Sequence, residues 1–151
     1  MLMGPISSIT PIRVRYAETD QMKMVYYGKY LEYFESGRSD LLRSIGLPYP
    51  EIEHLGYLLP VVEAHARYFK SARYDDLIEV STILRERPLA KIRIEYQIRE
   101  ASSHELLAEG YTVHSFVNAA TSKPVRAPAP MLEAIDEAFR LQATRKDALP
   151  T

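Results

Sequence analysis

The stretch Tyr16-Ala17-Glu18-Thr19-Asp20-Gln21-Met22-Lys23-Met24-Val25-Tyr26-Tyr27-Gly28-Lys29-Tyr30-Leu31-Glu32-Tyr33-Phe34-Glu35-Ser36-Gly37-Arg38 joins a strand to a helix, and the change of period inside it sets the fold. Upstream, Ile12, Val14 and Tyr16 alternate with Arg13 and Arg15, which predicts a strand with one wet face. A polar turn follows and holds one carboxylate, Asp20. The aromatic pair Tyr26-Tyr27 and Gly28 then open a helical period over residues 27 to 45. Tyr27, Leu31, Phe34, Leu41 and Ile45 share a broad face, which Tyr30 and Leu42 widen. Gly37 falls within it, where a missing side chain lets another backbone come close. Gly46 before Leu47-Pro48 stops the helix. A carboxylate facing a helix start brings a nucleophile or base beside ready N–H donors, an arrangement that suits attack on a carbonyl.

Outward from this unit, a short helical turn is expected over 50 to 55, closed by Gly56. From residue 57 the period becomes two. Val62, Ala64, Ala66 and Tyr68 share one face of a strand, with Glu63, His65 and Arg67 on the other. Ile78, Val80, Thr82 and Leu84 obey the same rule. Ile92, Ile94, Tyr96 and Ile98, alternating with Arg93, Glu95, Gln97 and Arg99, do so most cleanly. Residues 101 to 104 read as a hairpin connection, and a last strand runs from Glu105 to Val117. Pro124, Pro128 and Pro130 precede an amphipathic helix over 130 to 142. Residues 1 to 11 are expected as an N-terminal extension, 12 to 142 as a single domain, and 143 to 151 as a flexible tail. Strand, long apolar helix and four successive strands make an α+β protein. Its antiparallel sheet must curl around the helix to cover it.

The bulk numbers narrow the function. At 151 residues the chain is long enough to bury a real core. A net charge of −1 provides no global pull toward nucleic acid or anionic lipid, so an anionic ligand must meet local cations. With no cysteine there is no disulfide, thiolate metal site or cysteine nucleophile. His54, His65, His104 and His114 lie on separate elements without ligand spacing, so no metal is expected. No signal peptide or membrane span is expected, and the expected compartment is the cytoplasm.

Tyr16-x-Glu18-Thr19-Asp20 followed by Val25-Tyr26-Tyr27-Gly28-x-Tyr30-Leu31-x-Tyr33-Phe34-Glu35-x-x-Arg38 resembles the signature of the 4-hydroxybenzoyl-CoA thioesterase family, small acyl-CoA thioesterases of the hotdog fold. Tyr68-Phe69-Lys70-Ser71-Ala72-Arg73-Tyr74-Asp75-Asp76 and Lys123-Pro124-Val125-Arg126-x-Pro128 are similar to later family segments, so the likeness covers residues 10 to 135. The resemblance implies a five-stranded antiparallel sheet wrapped on a long central helix. It also implies a homodimer or homotetramer with interfacial sites, an acyl-CoA substrate, and no metal or redox cofactor. Asp20 falls on the catalytic aspartate, and Tyr27 and Gly28 fall where backbone N–H groups polarise the thioester carbonyl. The family commonly has Gly at Lys23, Asn at Lys29 and, in many relatives, His at Tyr27.

Other candidates carry two readings each. Asp20 read alone is a turn or capping aspartate. Tyr26 and Tyr30 are candidates for an acyl pocket, as are Tyr27 and Tyr33, although tyrosines at helical spacing also serve as core or interface packing. Glu35 and Arg38 are expected as a pair on one helix face. For the phosphates of coenzyme A the candidates are Lys70, Arg73, Arg85, Arg87 and Lys91, with Lys123 and Arg126 behind them; each also reads as a solvated charge. Two rival functions stay open. One is a non-catalytic acyl-CoA-binding protein, and the other a hotdog hydratase or dehydratase, which would need a histidine near the Asp20 turn.

Overall fold

The computed structural model describes residues 4–148. Its strands are β1 (Ile6–Arg13), β2 (Tyr57–Leu58), β3 (Val61–Tyr68), β4 (Leu77–Leu84), β5 (Lys91–Glu100), β6 (Leu106–Asn118) and β7 (Pro124–Val125). The helices are α1 (Lys29–Ser44), α2 (Tyr49–His54) and α3 (Ala129–Ala148), with a short 3₁₀ turn at Tyr16–Glu18. The five long strands form one antiparallel sheet in the order β1-β4-β5-β6-β3, and the two-residue β2 and β7 flank the far end of β6. The expected hotdog arrangement is present, with two short strands more than the five expected.

Three boundaries differ from expectation. The first strand begins at Ile6, so residues 6 to 11 are sheet and not an extension. Its inward positions include Ser8 and Thr10, which hide the alternation; Thr10 is buried because its hydroxyl donates to Asp40 at 2.7 Å. The strand ends at Arg13, and Tyr16 lies exposed in the 3₁₀ turn. At the other end α3 continues to Ala148, because no glycine or proline interrupts residues 131 to 148. The first three and last three residues, the outer parts of the expected extension and tail, lie outside the described residues.

The buried face of α1 is Tyr30, Tyr33, Phe34, Gly37, Arg38, Leu41 and Leu42, a regular three-four spacing. Leu31, expected on this face, is 42% exposed. Counting apolar residues alone placed the stripe to one side, because the true stripe includes Arg38. A Cβ at residue 37 would overlap the Thr82 hydroxyl and come within 2.9 Å of Val80, so Gly37 admits two side chains of β4. Phe34 stacks on Tyr96 of β5, with ring centroids 4.4 Å apart and planes 7° apart. The Phe34 ring also fills the space over Gly110, where a Cβ would overlap the His65 carbonyl of β3 and approach the ring to 2.8 Å.

Strand β3 breaks its expected pattern. Val62, Ala64 and Tyr68 are exposed along with the residues between them, and Ala66 is half-buried. The strand pairs with β6 alone, and the curl of the sheet leaves both its faces uncovered within one chain.

Arg38 does not pair with Glu35. It points inward, donating from Nε to Tyr49 at 2.7 Å and from Nη1 to Tyr96 at 3.1 Å, while Glu35 is exposed. From there the polar groups run in one direction. The Tyr96 hydroxyl meets Thr112 Oγ1 at 2.6 Å, Thr112 meets His114 Nε2 at 2.9 Å, and His114 Nδ1 meets the Leu59 carbonyl at 3.0 Å. A carbonyl only accepts, so Nδ1 carries the proton and Nε2 accepts from Thr112. Burial pushes the imidazole down to about 4; the Leu59 carbonyl opposes this and the Arg38 charge adds to it.

The unfolded chain therefore takes up a proton at His114 first as pH falls. Stability should be full above pH 6.5 and decline as pH falls toward 4. For one proton this slope is at most about 1.4 kcal/mol per pH unit. Urea unfolding of the wild type and of His114→Asn across this range measures it; equal slopes would refute the assignment. Gly110→Ala should lower the unfolding free energy by about 3 kcal/mol, since the Phe34 ring and the β3 backbone must both move. An unchanged urea midpoint would show that the seat is not tight.

Candidate active site

Residues 18 to 26 fold back as a small hairpin. Tyr26 N donates to Glu18 O at 3.0 Å, Thr19 bridges Val25, and Asp20 N donates to Met24 O at 2.8 Å. The tip closes with Lys23 N on Asp20 O at 3.0 Å. Lys23 has φ 62°, the left-handed region in which glycine pays least. Lysine can hold this conformation at a cost of roughly 1–2 kcal/mol, so its presence at the family's glycine position does not break the turn.

Asp20 serves the turn and still keeps an oxygen. Its Oδ1 accepts from Met22 N at 2.8 Å and from Met24 N at 3.2 Å. Among the described residues Oδ2 accepts nothing, and the residue is exposed. The two backbone donors hold the carboxylate in one orientation and leave one oxygen open to water or substrate.

The hairpin is anchored to residues 72 to 74 at three points. Val25 N donates to Ala72 O at 2.9 Å, Tyr74 N donates to Lys23 O at 3.0 Å, and Met24 bridges Arg73. The segment after β3 is thus the floor of the turn. The Glu18 carboxylate accepts from Arg15 N at 2.8 Å and from the Tyr33 hydroxyl of α1 at 3.2 Å. Burial, and then the Glu18 charge, push the Tyr33 phenol above its usual range, so it remains a donor. Glu18 was not among the expected site residues, although it stands inside the motif; its spacing from Tyr33 has no meaning until the hairpin folds back.

At the helix start, Lys29 N donates to Tyr26 O at 2.9 Å and Tyr30 N to Tyr27 O at 3.3 Å. Among the described residues the N–H groups of Tyr27 and Gly28 find no acceptor. Gly28 has an ordinary helical φ of −65°; its glycine is explained by the Tyr26 ring, which a Cβ would approach to 2.9 Å. The tyrosines divide. Tyr26 and Tyr27 are exposed with ring centroids 4.5 Å apart, whereas Tyr30 is only 2% exposed and its hydroxyl accepts from Ala72 N at 3.0 Å. The Tyr30 hydroxyl is therefore committed to the core, not aimed into a pocket. Tyr68, at the end of β3, donates its hydroxyl to Tyr27 O at 3.0 Å.

The expected phosphate cations do not form one cluster. Arg73 lies by the Asp20 hairpin, and Lys70 is paired with Glu105 at 3.0 Å. Arg85, Arg87 and Lys91 do share a depression of about 260 Å³ at the β4–β5 connection, joined by Arg93. Arg85 is paired with Glu95, and Arg87 makes two bonds to Asp136 at 2.8 and 3.3 Å, which leaves Lys91 and Arg93 without a carboxylate among the described residues. His104 sits in the β5–β6 turn at φ 61°, and His114 is locked in the core. Among the described residues no three His, Asp or Glu side chains are grouped as metal ligands. None of the described helices is long and apolar enough to cross a membrane.

A sequence profile of the Thioesterase-like superfamily matches residues 14–139. The chain belongs to this superfamily. It is 35% identical over 115 residues to a putative acyl-CoA thioesterase, YneP, of Bacillus subtilis, covering 76% of this chain and 83% of that one. It is 30% identical over 119 residues to the acyl-CoA thioesterase YbgC of Haemophilus influenzae, covering 78% and 86%. The solved structure of a DHNA-CoA thioesterase from Staphylococcus aureus superposes with a TM-score of 0.80 at 30% identity, covering 96% of this chain and 97% of that one. The hotdog thioesterase fold is thus established, with the Asp20 hairpin and the start of α1 both inside the matched span.

The left-handed lysine gives a direct check on the turn. Lys23→Gly should raise stability by about 0.5–1 kcal/mol, since relief of the strained φ outweighs the added freedom of the unfolded glycine. A lower urea midpoint for the variant would show that the lysine side chain itself holds the turn.

Proposed function

We propose that this thioester hydrolase cleaves an acyl-CoA to a carboxylic acid and coenzyme A, with Asp20 as the reacting carboxylate and the N–H groups of Tyr27 and Gly28 as the oxyanion hole. One observation carries the reading. A carboxylate with one uncommitted oxygen belongs to the same hairpin-and-helix unit as two backbone N–H groups that lack acceptors. Attack on the thioester carbon shifts charge onto the carbonyl oxygen, and preorganised donors aimed there contribute about 3–4 kcal/mol. Through Oδ2, Asp20 either takes a proton from water as the water oxygen bonds the carbonyl carbon, or attacks that carbon itself. Both routes expel the coenzyme A thiolate, a good leaving group. The first gives the acid directly; the second leaves an acyl–Asp20 anhydride that a water must then hydrolyse to free the acid and restore the carboxylate. The reaction on this reading requires no metal or redox cofactor, and its setting is the cytoplasm.

Tyr26 and Tyr27 are the aromatic surface nearest the reacting groups and suit contact with the acyl part. The likeness to 4-hydroxybenzoyl-CoA thioesterases makes an aroyl group the first candidate. Arg73, by the hairpin, and the depression of Arg85, Arg87 and Lys91 supply cations for the nucleotide phosphates, as does Lys70. The free edge of β3, with Leu58, Val61, Val62, Tyr68 and Phe69 exposed, suits a second copy of the chain and so supports a homodimer or homotetramer.

A panel of acetyl-, butyryl-, benzoyl- and palmitoyl-CoA, followed by release of free thiol, tests the reading. At least one should turn over, and Asp20→Asn should lower kcat by at least about 100-fold with its thermal midpoint retained. EDTA should leave the rate unchanged. Activity that survives Asp20→Asn would exclude the mechanism, and tight binding without turnover by the wild type would favour a binding protein.

A further inference from the structure

The peptide between Tyr27 and Gly28 has its carbonyl on one side and its N–H on the other, as a trans peptide requires. Among the described residues the N–H lacks an acceptor, while the carbonyl takes two donors: Tyr30 N at 3.3 Å and the Tyr68 hydroxyl at 3.0 Å. The first of these comes from the helix itself. The second comes from a residue 41 positions away, at the end of the sheet's edge strand. Within a single chain Tyr68 is exposed, and its hydroxyl is turned onto this one carbonyl. Its ring is held for the purpose, edge-on to Tyr30 at 5.1 Å and to Tyr27 at 6.5 Å.

A hydrogen bond accepted at a peptide oxygen draws charge from the nitrogen and strengthens the N–H on the opposite side as a donor. It also fixes the plane of the peptide, and with it the direction of the N–H. We infer that Tyr68 is a positioning residue for thioester hydrolysis: its hydroxyl orients and polarises the Tyr27–Gly28 peptide so that the Gly28 N–H meets the developing oxyanion. Tyr68 does not touch the reacting atoms. The inference rests on the proposed role of that N–H and adds the residue that sets its strength.

Tyr68→Phe removes the hydroxyl and keeps the ring. With the acyl-CoA that turns over fastest in the panel, kcat should fall about tenfold while KM changes less than about twofold, a smaller loss than removing an oxyanion donor outright. The thermal midpoint should stay near that of the wild type. A second readout follows the bond order of the carbonyl. In Asp20→Asn enzyme holding uncleaved benzoyl-CoA, the infrared carbonyl band should lie below its position in water, and adding Tyr68→Phe should move it partway back. A wild-type kcat in Tyr68→Phe, or a band unmoved by the second substitution, would overturn the role of Tyr68. So would a loss of kcat matched by an equal loss of folded protein. Activity surviving Asp20→Asn while Tyr68→Phe still lowers kcat would instead place the error in the reading of Asp20.

Discussion

Phe34 lies on bare backbone. Because residue 110 is a glycine, the middle of β6 offers no side chain there, and the ring settles between that backbone and the Tyr96 ring. With the close approach of Gly37 to Thr82 and Val80 of β4, this contact is one of two tight seats of α1 on the sheet. With the middle of α1 fixed, its first turn must emerge beside the hairpin of residues 18 to 26, where Tyr33 reaches back to Glu18. The helix start is thus positioned by packing about two turns farther along the helix.

The same helix divides its labour by face. One stripe is buried and includes a charge, Arg38, whose contacts are hydroxyls and not a carboxylate among the described residues. Such a charge is tolerated because each step from Tyr96 through Thr112 and His114 to Leu59 hands a hydrogen bond onward. The opposite stripe carries Glu32, Glu35 and other polar residues toward solvent. Arg38 therefore belongs to the interior, although its charge makes it look like a surface residue.

Much of this was legible in the residues. The period-two runs at Ile78–Leu84 and Ile92–Ile98 became β4 and β5, because central strands must hide one face and their apolar residues show it. The Asp20 turn and the helix opening at Gly28 were likewise readable, since turn chemistry is local. What stayed hidden were features decided by distant partners. Ser8 and Thr10 masked the start of β1, and Arg38 shifted the apparent stripe of α1. Of the two readings of Asp20, the turn reading is observed: the residue binds its own turn, through one oxygen. Of the expected cations, Lys70, Arg85 and Arg87 have carboxylate neighbours that no spacing rule announces.

Strand β3 ties the fold to its surroundings. It contributes Tyr68 to the helix start and the His65 carbonyl to the seat of Phe34, yet apart from half-buried Ala66 its side chains are exposed. A strand built this way gains less from its own chain than its neighbours do. Anything that covers it in the folded state adds stability by mass action, in proportion to the logarithm of its concentration. The long strand left uncovered by its own chain is also the one that touches the helix start. On the proposed oxyanion role and homo-oligomer, the order of the Tyr27–Gly28 peptide becomes a property that depends on how much protein is present, and dilution reaches this peptide before it reaches the core.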